Sequence, residues 1–233
     1  MIMKRILILL AAIVVLGSCG QTNGNNQTAN ATSSNDNTRT QILVSTSMGD
    51  IILELYNETP LHRENFIKLV EEGFYDNTLF HRVIKGFMIQ GGDPDSKIAQ
   101  PGQQLGMGGP GYTTPAEFED QFIHQKGALA AARQGDHVNP QKESSGSQFY
   151  IVHGRVFSHE ELETFEQRSG KVFSNEQKKV YTTTGGAPHL DGDYTVFGKT
   201  VQGMEVIDSI AAVPTDGGNR PLEDIVITMS VIK

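Results

Sequence analysis

Short runs of alternating apolar and polar positions recur from about residue 41 onward and predict β-strands. Two β-branched runs, Ile42 to Thr46 and Ile51 to Tyr56, flank the tripeptide MGD and predict a hairpin. Further strands are predicted at TLFHRVI (78–84), FMIQGG (87–92), GALAAAR (127–133), SQFYIVHG (147–154), YTVFGKTV (194–201) and IVITMSVIK (225–233).

Helical patterns are fewer. Thr59 and Pro60 are typical of an N-cap and a first helical position, and Gly73 is a typical stop. The predicted buried face of this helix consists of Leu61, Asn65, Phe66, Leu69 and Val70. A short amphipathic helix is predicted over 204–213. Many short strands without β–α–β alternation favour an antiparallel barrel or sandwich.

One segment, at about 155–187, breaks the β pattern. It carries two capping-box signatures, Ser158 with Glu161 and Ser174 with Gln177. Each signature predicts the start of a short helix, and Gly170 and Gly185 are plausible ends. The segment therefore predicts a helical hairpin inserted into a β domain.

Composition restricts the possible functions. The chain has 233 residues, which fits one domain with additions or at most two small domains. Its net charge of −8 gives no electrostatic basis for binding nucleic acid. Cys19 is the single cysteine, so an intrachain disulfide is excluded.

The first 18 residues have the pattern of an export signal. Lys4 and Arg5 precede an apolar run of about 11 residues, which is shorter than a membrane-spanning helix requires. The sequence LGSC, ending at Cys19, resembles the bacterial lipobox, whose cysteine is lipidated after cleavage. The alternative is an ordinary signal peptide with a cysteine there by chance.

Residues 19–40 form a polar tract rich in Gly, Asn, Thr and Ser, which predicts a flexible tether. With lipid on Cys19, the tether would hold a domain over 41–233 at a membrane. We expect a lipid-anchored protein of the bacterial cell envelope, at the outer membrane and facing the periplasm.

Two apparent motifs are rejected. GMGGPG, at 106–111, matches G-x-G-x-x-G, but no apolar strand leads into it and Pro110 prevents the required helix start. We predict a loop there. HEELE, at 159–163, lacks the second histidine of a zinc-binding H-E-x-x-H motif.

The stretch FHRVIKGFMIQGGD (80–93) resembles the arginine strand and the following strand of cyclophilin-type peptidyl-prolyl cis-trans isomerases. Further matches follow in order: Glu117-Phe118, GALAAAR, GSQFYI (146–151) and HLDGDYTVFGK (189–199). The resemblance covers about 42–233, apart from the helical insertion. It implies a mainly β fold, a closed eight-stranded antiparallel barrel capped by two helices.

The resemblance also implies a site. Arg82 would be the catalytic donor that acts on the prolyl amide. The substrate-binding residues would be His81, Phe87, Met88, Gln90, Ala132, Arg133, Gln148, Tyr150, His189, Leu190 and Tyr194. No cofactor and no metal are expected.

The chain departs from the best-known family pattern at four positions. Tyr150 stands where phenylalanine is usual, Arg133 replaces asparagine, and Tyr194 stands where histidine is common. His189 occupies the place of a tryptophan in eukaryotic members, which puts cyclosporin-type binding in doubt.

We expect an isomerase that accelerates rotation of X-Pro bonds in exported proteins as they fold. Its partners would be proline-containing polypeptides and, through lipid, a membrane, with the catalytic domain monomeric. Two rival hypotheses stay open. One is a prolyl-peptide binding or chaperone module with little turnover, and the other is a structural lipoprotein whose barrel only positions the insertion.

Overall fold

The structure is a computed structural model that describes residues 38–232. The signal peptide, Cys19 and nearly all of the tether lie outside these residues. Within the described range, no helix combines the length and apolar character needed to cross a bilayer.

Nine strands form one antiparallel sheet, in the order β3-β11-β1-β2-β10-β7-β9-β5-β4, and β6 pairs with β8 in a separate ribbon. The strands are β1 (Gln41–Thr46), β2 (Gly49–Leu55), β3 (Thr78–Leu79), β4 (Arg82–Ile84), β5 (Met88–Gly91), β6 (Thr113–Thr114), β7 (Ala128–Ala131), β8 (Ser144–Ser145), β9 (Phe149–Val152), β10 (Val196–Gln202) and β11 (Val226–Ile232).

The two edge strands of the sheet, β3 and β4, are consecutive in the chain. Strands β3 and β4 are separated only by Phe80 and His81, although β3 pairs with β11 and β4 pairs with β5. The predicted strand over 78–84 is therefore bent at Phe80 and His81. If β3 and β4 are counted as one strand, the sheet has eight strands and closes on itself. The predicted mainly β barrel is confirmed, and the bend at its closure is the new feature.

The barrel interior is apolar because alternate residues of each strand point inward. Ile42 and Val44 of β1 and Ile51 and Leu53 of β2 are fully buried. Two helices, α1 (Pro60–Glu71) and α4 (Met204–Ile210), pack on this core against β11 and β2 respectively. They are the two predicted capping helices.

The predicted start of α1 is right, but its cap and one position of its face are wrong. The Thr59 side chain makes no capping hydrogen bond. Instead, the Glu117 carboxylate accepts from the amides of Leu61 (3.0 Å) and His62 (2.9 Å) and from His62 Nδ1 (2.7 Å). As a result His62 is buried, whereas Leu61 is 49% exposed.

The inserted hairpin, residues 155–187, contains α2 (His159–Ser169) and α3 (Asn175–Thr183). Both predicted capping boxes are present, and Gly170 ends α2 in the left-handed conformation. The hairpin has its own small core of Leu162, Phe173 and Tyr181. Arg155 and Gly186 form a β-bridge where the hairpin leaves the barrel, so its two ends are adjacent.

Irregular segments complete the fold. Residues 106–111 lie in a loop, as predicted. Two 3₁₀ turns, Pro94–Ile98 and Pro188–Leu190, and the β6–β8 ribbon were not predicted, because each is too short to produce a periodic pattern.

Candidate active site

A groove of about 640 Å³ opens on the barrel wall beside β4 and β5. Ten of the predicted site residues line it: His81, Arg82, Phe87, Met88, Gln90, Ala132, Arg133, Tyr150, Leu190 and Tyr194. They come from sequence positions more than a hundred residues apart, so folding brings the predicted set together.

Sheet register explains why the central residues meet. Arg82 is paired with Gln90 across β4 and β5, and Gln90 is paired with Tyr150 across β5 and β9. Directly paired residues project their side chains from the same face of a sheet. A guanidinium, an amide and an aromatic ring therefore lie in one row across three neighbouring strands.

A polar chain holds the half-buried Arg82. Its Nη1 donates to Gln90 Oε1 at 3.1 Å, and Gln90 Nε2 donates to Gln148 Oε1 at 3.0 Å. Gln148 Nε2 donates in turn to the Gly108 carbonyl at 2.7 Å. One bond occupies only one of five guanidinium N–H donors, so donors remain for a ligand in the groove.

The rest of the groove floor is apolar. Met88 is 1% exposed, Tyr150 4% and Leu190 8%, and Phe87 packs partly buried against the same cluster. His189 does not line the groove wall; its exposed ring lies against Phe87, with centroids 5.2 Å apart. The side chains of Phe87, Met88, Tyr150 and Leu190 together form an apolar cradle in the groove.

The Tyr150 hydroxyl points away from this cradle. It is 2.9 Å from Nε2 of the fully buried His124, whose Nδ1 is 2.8 Å from Asp191 Oδ1. Burial raises the pKa of Tyr150 well above its usual value, so it stays a neutral donor. Tyrosine can therefore replace phenylalanine here without making the groove surface polar.

His81 lies beside Arg82 and is 4% exposed, yet neither of its ring nitrogens has a partner. Burial lowers the pKa of His81 to about 4, although Asp93 acts in the opposite direction. The ring is thus neutral at ordinary pH and adds no charge next to the Arg82 guanidinium.

A second groove of about 720 Å³ adjoins the first. Gln148 lines this groove, and Gln90, Ala132 and Arg133 line both. The Arg133 guanidinium stacks 4.5 Å above the Tyr194 ring and donates from Nε to the Asp193 carbonyl at 2.6 Å. The side chain of Arg133, and not only its backbone, therefore shapes the boundary between the grooves.

The sequence did not reveal the opposite wall of the main groove. This wall consists of residues 102–107 together with Asp216, Gly218 and Arg220. Arg220 is 6% exposed and joins the two segments by donating from Nη1 to the carbonyls of Gln100 (2.7 Å) and Gln103 (3.3 Å). An arginine in a Gly-rich turn gives no signal of such a long-range role.

Across 38–232, no group of three or more His, Cys, Asp or Glu side chains is arranged to hold a metal ion. The lining of the main groove combines three arginines, Arg82, Arg133 and Arg220, and the carboxylate of Asp216 with neutral polar and apolar side chains.

Comparison with known proteins agrees with this geometry. The family model described as "Cyclophilin type peptidyl-prolyl cis-trans isomerase/CLD" matches residues 41–231. Peptidyl-prolyl cis-trans isomerase CYP18-1 of Arabidopsis thaliana is 34% identical over 189 residues, which cover 79% of this chain and 90% of that protein.

A Streptococcus pyogenes protein named "Putative bifunctional phosphatase/peptidyl-prolyl cis-trans isomerase" is 36% identical over 82% of this chain, which spans only 38% of that protein. Among solved structures, the cyclophilin-type isomerase of Cryptosporidium parvum superposes with a TM-score of 0.62 at 26% identity, covering 84% of this chain and 98% of that one. A second structure of the parasite protein was determined in the presence of the dipeptide Ala-Pro.

The barrel, the arginine-bearing groove and the sequence matches agree with one another, and the chain belongs to the cyclophilin-type peptidyl-prolyl cis-trans isomerase family.

Proposed function

We propose that this chain accelerates rotation about X-Pro peptide bonds in exported polypeptides, with Arg82 as the catalytic residue. The observation that carries this proposal is the position of Arg82. Its guanidinium is oriented by Gln90 and lines the same groove as the apolar side chains of Phe87 and Met88.

The reaction needs little more than a positioned cationic donor and an apolar surface that holds the proline ring. Amide resonance produces a barrier of about 18–20 kcal/mol, and no bond has to break. A catalyst must bind the twisted amide better than either planar isomer. A rate gain of four decades corresponds to about 5.4 kcal/mol of differential stabilisation.

Each part of the groove supplies a share of that difference. The apolar cradle removes the proline ring from water and fixes its orientation. A guanidinium is always protonated, so Arg82 presents a preorganised donor to the prolyl amide, where it favours the pyramidal nitrogen of the twisted form. Gln90 and Gln148 keep the donor in place before substrate arrives.

Replacing Arg82 tests the catalytic role. Losing one preorganised donor costs roughly 100- to 1,000-fold in kcat, so we expect Arg82→Ala to lose that much in a protease-coupled assay on an X-Pro tetrapeptide. Arg168→Ala, which removes an exposed arginine of α2, is the matched control. Equal turnover by wild type and Arg82→Ala, with prolyl-peptide affinity retained, would favour the binding-module hypothesis instead.

The exported location of the substrates is a second part of the proposal. The Lys4-Arg5 pair, the apolar run and the LGSC sequence support export and lipidation at Cys19, and the polar tract over 20–40 supports a standoff from the membrane. A monomeric catalytic domain on such a tether would reach polypeptides emerging at the envelope.

Expression of the full chain in a bacterial host tests the anchor. We expect incorporation of a labelled fatty acid and partition into detergent, and loss of both in Cys19→Ser. Fractionation of the envelope then decides between inner and outer membrane. A wild-type chain that takes up no label would refute the lipid anchor while leaving the isomerase proposal intact.

A further inference from the structure

The inserted hairpin reaches the proline cradle through a chain of buried and partly buried hydrogen bonds. Tyr181 of α3 is fully buried, and its hydroxyl donates to Asp191 Oδ2 through a short hydrogen bond. The other carboxylate oxygen, Oδ1, accepts from the backbone amide of His124 at 2.9 Å and from its Nδ1 at 2.8 Å. The chain ends at the Tyr150 hydroxyl, 2.9 Å from His124 Nε2.

For a neutral imidazole at His124, the chemistry of the groups sets the direction of these bonds. A carboxylate only accepts, so the Asp191 side chain requires Tyr181 O–H and His124 Nδ1–H as donors. In the neutral imidazole the other nitrogen, Nε2, is then the acceptor for the Tyr150 hydroxyl. Every donor in the series is satisfied, and such connected networks rigidify the groups they join.

A second connection runs through Lys171, in the turn between α2 and α3. Its ammonium bonds the backbone carbonyls of Asp191 and His189 and lies 2.6 Å from Asp193 Oδ2. Although burial opposes the change, hydrogen bonds from Lys142 and Lys171 lower the pKa of Asp193. The hairpin thus clamps residues 189–193, the segment that carries Leu190 of the cradle.

We propose that Tyr181 and Lys171 are positioning residues for the proline cradle, and this inference rests on the proposed function. Tyr181 acts through Asp191 and His124 to orient Tyr150, and Lys171 holds the segment that carries Leu190. The hairpin is accordingly part of the active-site scaffold. A free aromatic hydroxyl at position 150 could turn into the groove, and the hydrogen-bonded chain prevents this.

The test for Tyr181 is a double-mutant cycle on the full domain. Tyr181→Phe removes one buried hydrogen bond, so we expect kcat/KM to fall roughly 5-fold. Tyr150→Phe removes the hydroxyl that bonds His124, so in this background the hydrogen-bonded chain no longer reaches the cradle. Adding Tyr181→Phe to Tyr150→Phe should therefore not change kcat/KM any further. Equal losses in both backgrounds would overturn the proposed path.

Tyr75→Phe is the matched control for stability. Tyr75 is also buried, and its hydroxyl donates to the Ser147 carbonyl at 3.1 Å. We expect both tyrosine variants to lose a similar amount of unfolding free energy, but only Tyr181→Phe to lose turnover. A similar loss of turnover in Tyr75→Phe would show that general destabilisation explains the effect.

Lys171→Met tests the second connection, with the exposed Lys179→Met of α3 as its control. We expect KM for an X-Pro peptide to rise roughly 5-fold in Lys171→Met, because the three lost charge-assisted contacts act on the cradle only through the segment that carries Leu190, and to stay unchanged in the control. An unchanged KM in both variants would remove Lys171 from the proposal.

A spectroscopic measurement separates this inference from the proposed function. Imidazole ¹⁵N shifts should show His124 protonated at Nδ1 in the wild type and a changed tautomer balance in Tyr181→Phe. If Arg82→Ala keeps full turnover, the catalytic proposal fails, and the cycle is then measured on prolyl-peptide affinity. Unchanged His124 and Tyr150 resonances in Tyr181→Phe would refute the positioning role whatever the turnover.

Discussion

At the residue scale, the Tyr150 side chain of the cradle depends on partners that do not line the groove: its hydroxyl bonds His124, which in turn bonds Asp191. Arg82, Met88 and Tyr150 could be found because a motif resemblance assigns roles to linear positions. The pairing of His124 with Asp191 could not be predicted, since the two residues lie 67 positions apart and the resemblance assigns no role to either, although Asp191 lies within the matched stretch 189–199. A side chain without an assigned role shows its partner only after folding.

Gln90 provides the residue-scale prediction. Gln90→Ala removes the acceptor that orients Arg82 Nη1 and breaks the link to Gln148. We expect kcat/KM to fall roughly 5-fold, the rate equivalent of one neutral hydrogen bond, with Arg82 itself intact.

The peptide assay used for Arg82 checks this prediction. Gln167→Ala, at an exposed glutamine of α2, is the control. If turnover by Gln90→Ala matches that of wild type, Arg82 is held by its surroundings and not by this amide.

At the element scale, local signals were reliable where the stabilising partner is local. Both capping boxes of the inserted hairpin lie within four consecutive residues, and both are present. The start of α1 was predicted from Thr59 and Pro60, but its actual cap, Glu117, is 56 residues away from Leu61. A capping residue that is distant in the sequence cannot be predicted from the sequence of the helix itself.

This cap gives the element-scale prediction. Glu117→Gln loses the charge at the α1 N-terminus and one acceptor oxygen, so we expect unfolding free energy at pH 7 to fall by about 1–2 kcal/mol. Burial opposes ionisation, but bonds from His62 and the first-turn amides lower the pKa of Glu117 below 4.5.

The sign of the pH dependence follows from that lowered pKa. The ionised Glu117 carboxylate stabilises the wild-type protein fully above about pH 4.5. This stabilisation is lost as the pH falls through the lower pKa that Glu117 has in the folded protein. Urea unfolding of both proteins at pH 7 and in acid should therefore show a difference that narrows with acidification. Glu119→Gln, at an exposed neighbouring site, is the control, and a pH-independent difference would contradict the assignment.

At the whole-molecule scale, the resemblance predicted the barrel, and the helical pattern marked the inserted hairpin as an addition. Neither the resemblance nor the helical pattern indicated that the hairpin has its own core. They also did not indicate that a hydrogen bond from Tyr181 connects the hairpin to the cradle. The two ends of the hairpin meet at the Arg155–Gly186 bridge, so the barrel does not depend on it for closure.

We therefore predict that the barrel folds after residues 157–184 are replaced by a short Gly-containing turn. Circular dichroism should keep its β signal and lose helix, and unfolding should stay cooperative. Unfolding free energy should fall by about 1–3 kcal/mol, because Asp191 loses a buried donor. A chain that fails to fold would show that the hairpin is needed for the barrel itself.

The bent closure at Phe80 and His81 has a consequence for synthesis. Strand β3 pairs with β11, the last strand of the chain, and Arg82 follows three residues after β3. A nascent chain that ends before Val226 lacks the partner strand of β3 and one of the two partner strands of β1. Pairing of β3, and with it the fixing of the bend that leads into Arg82, therefore requires residues 226–227 to be available.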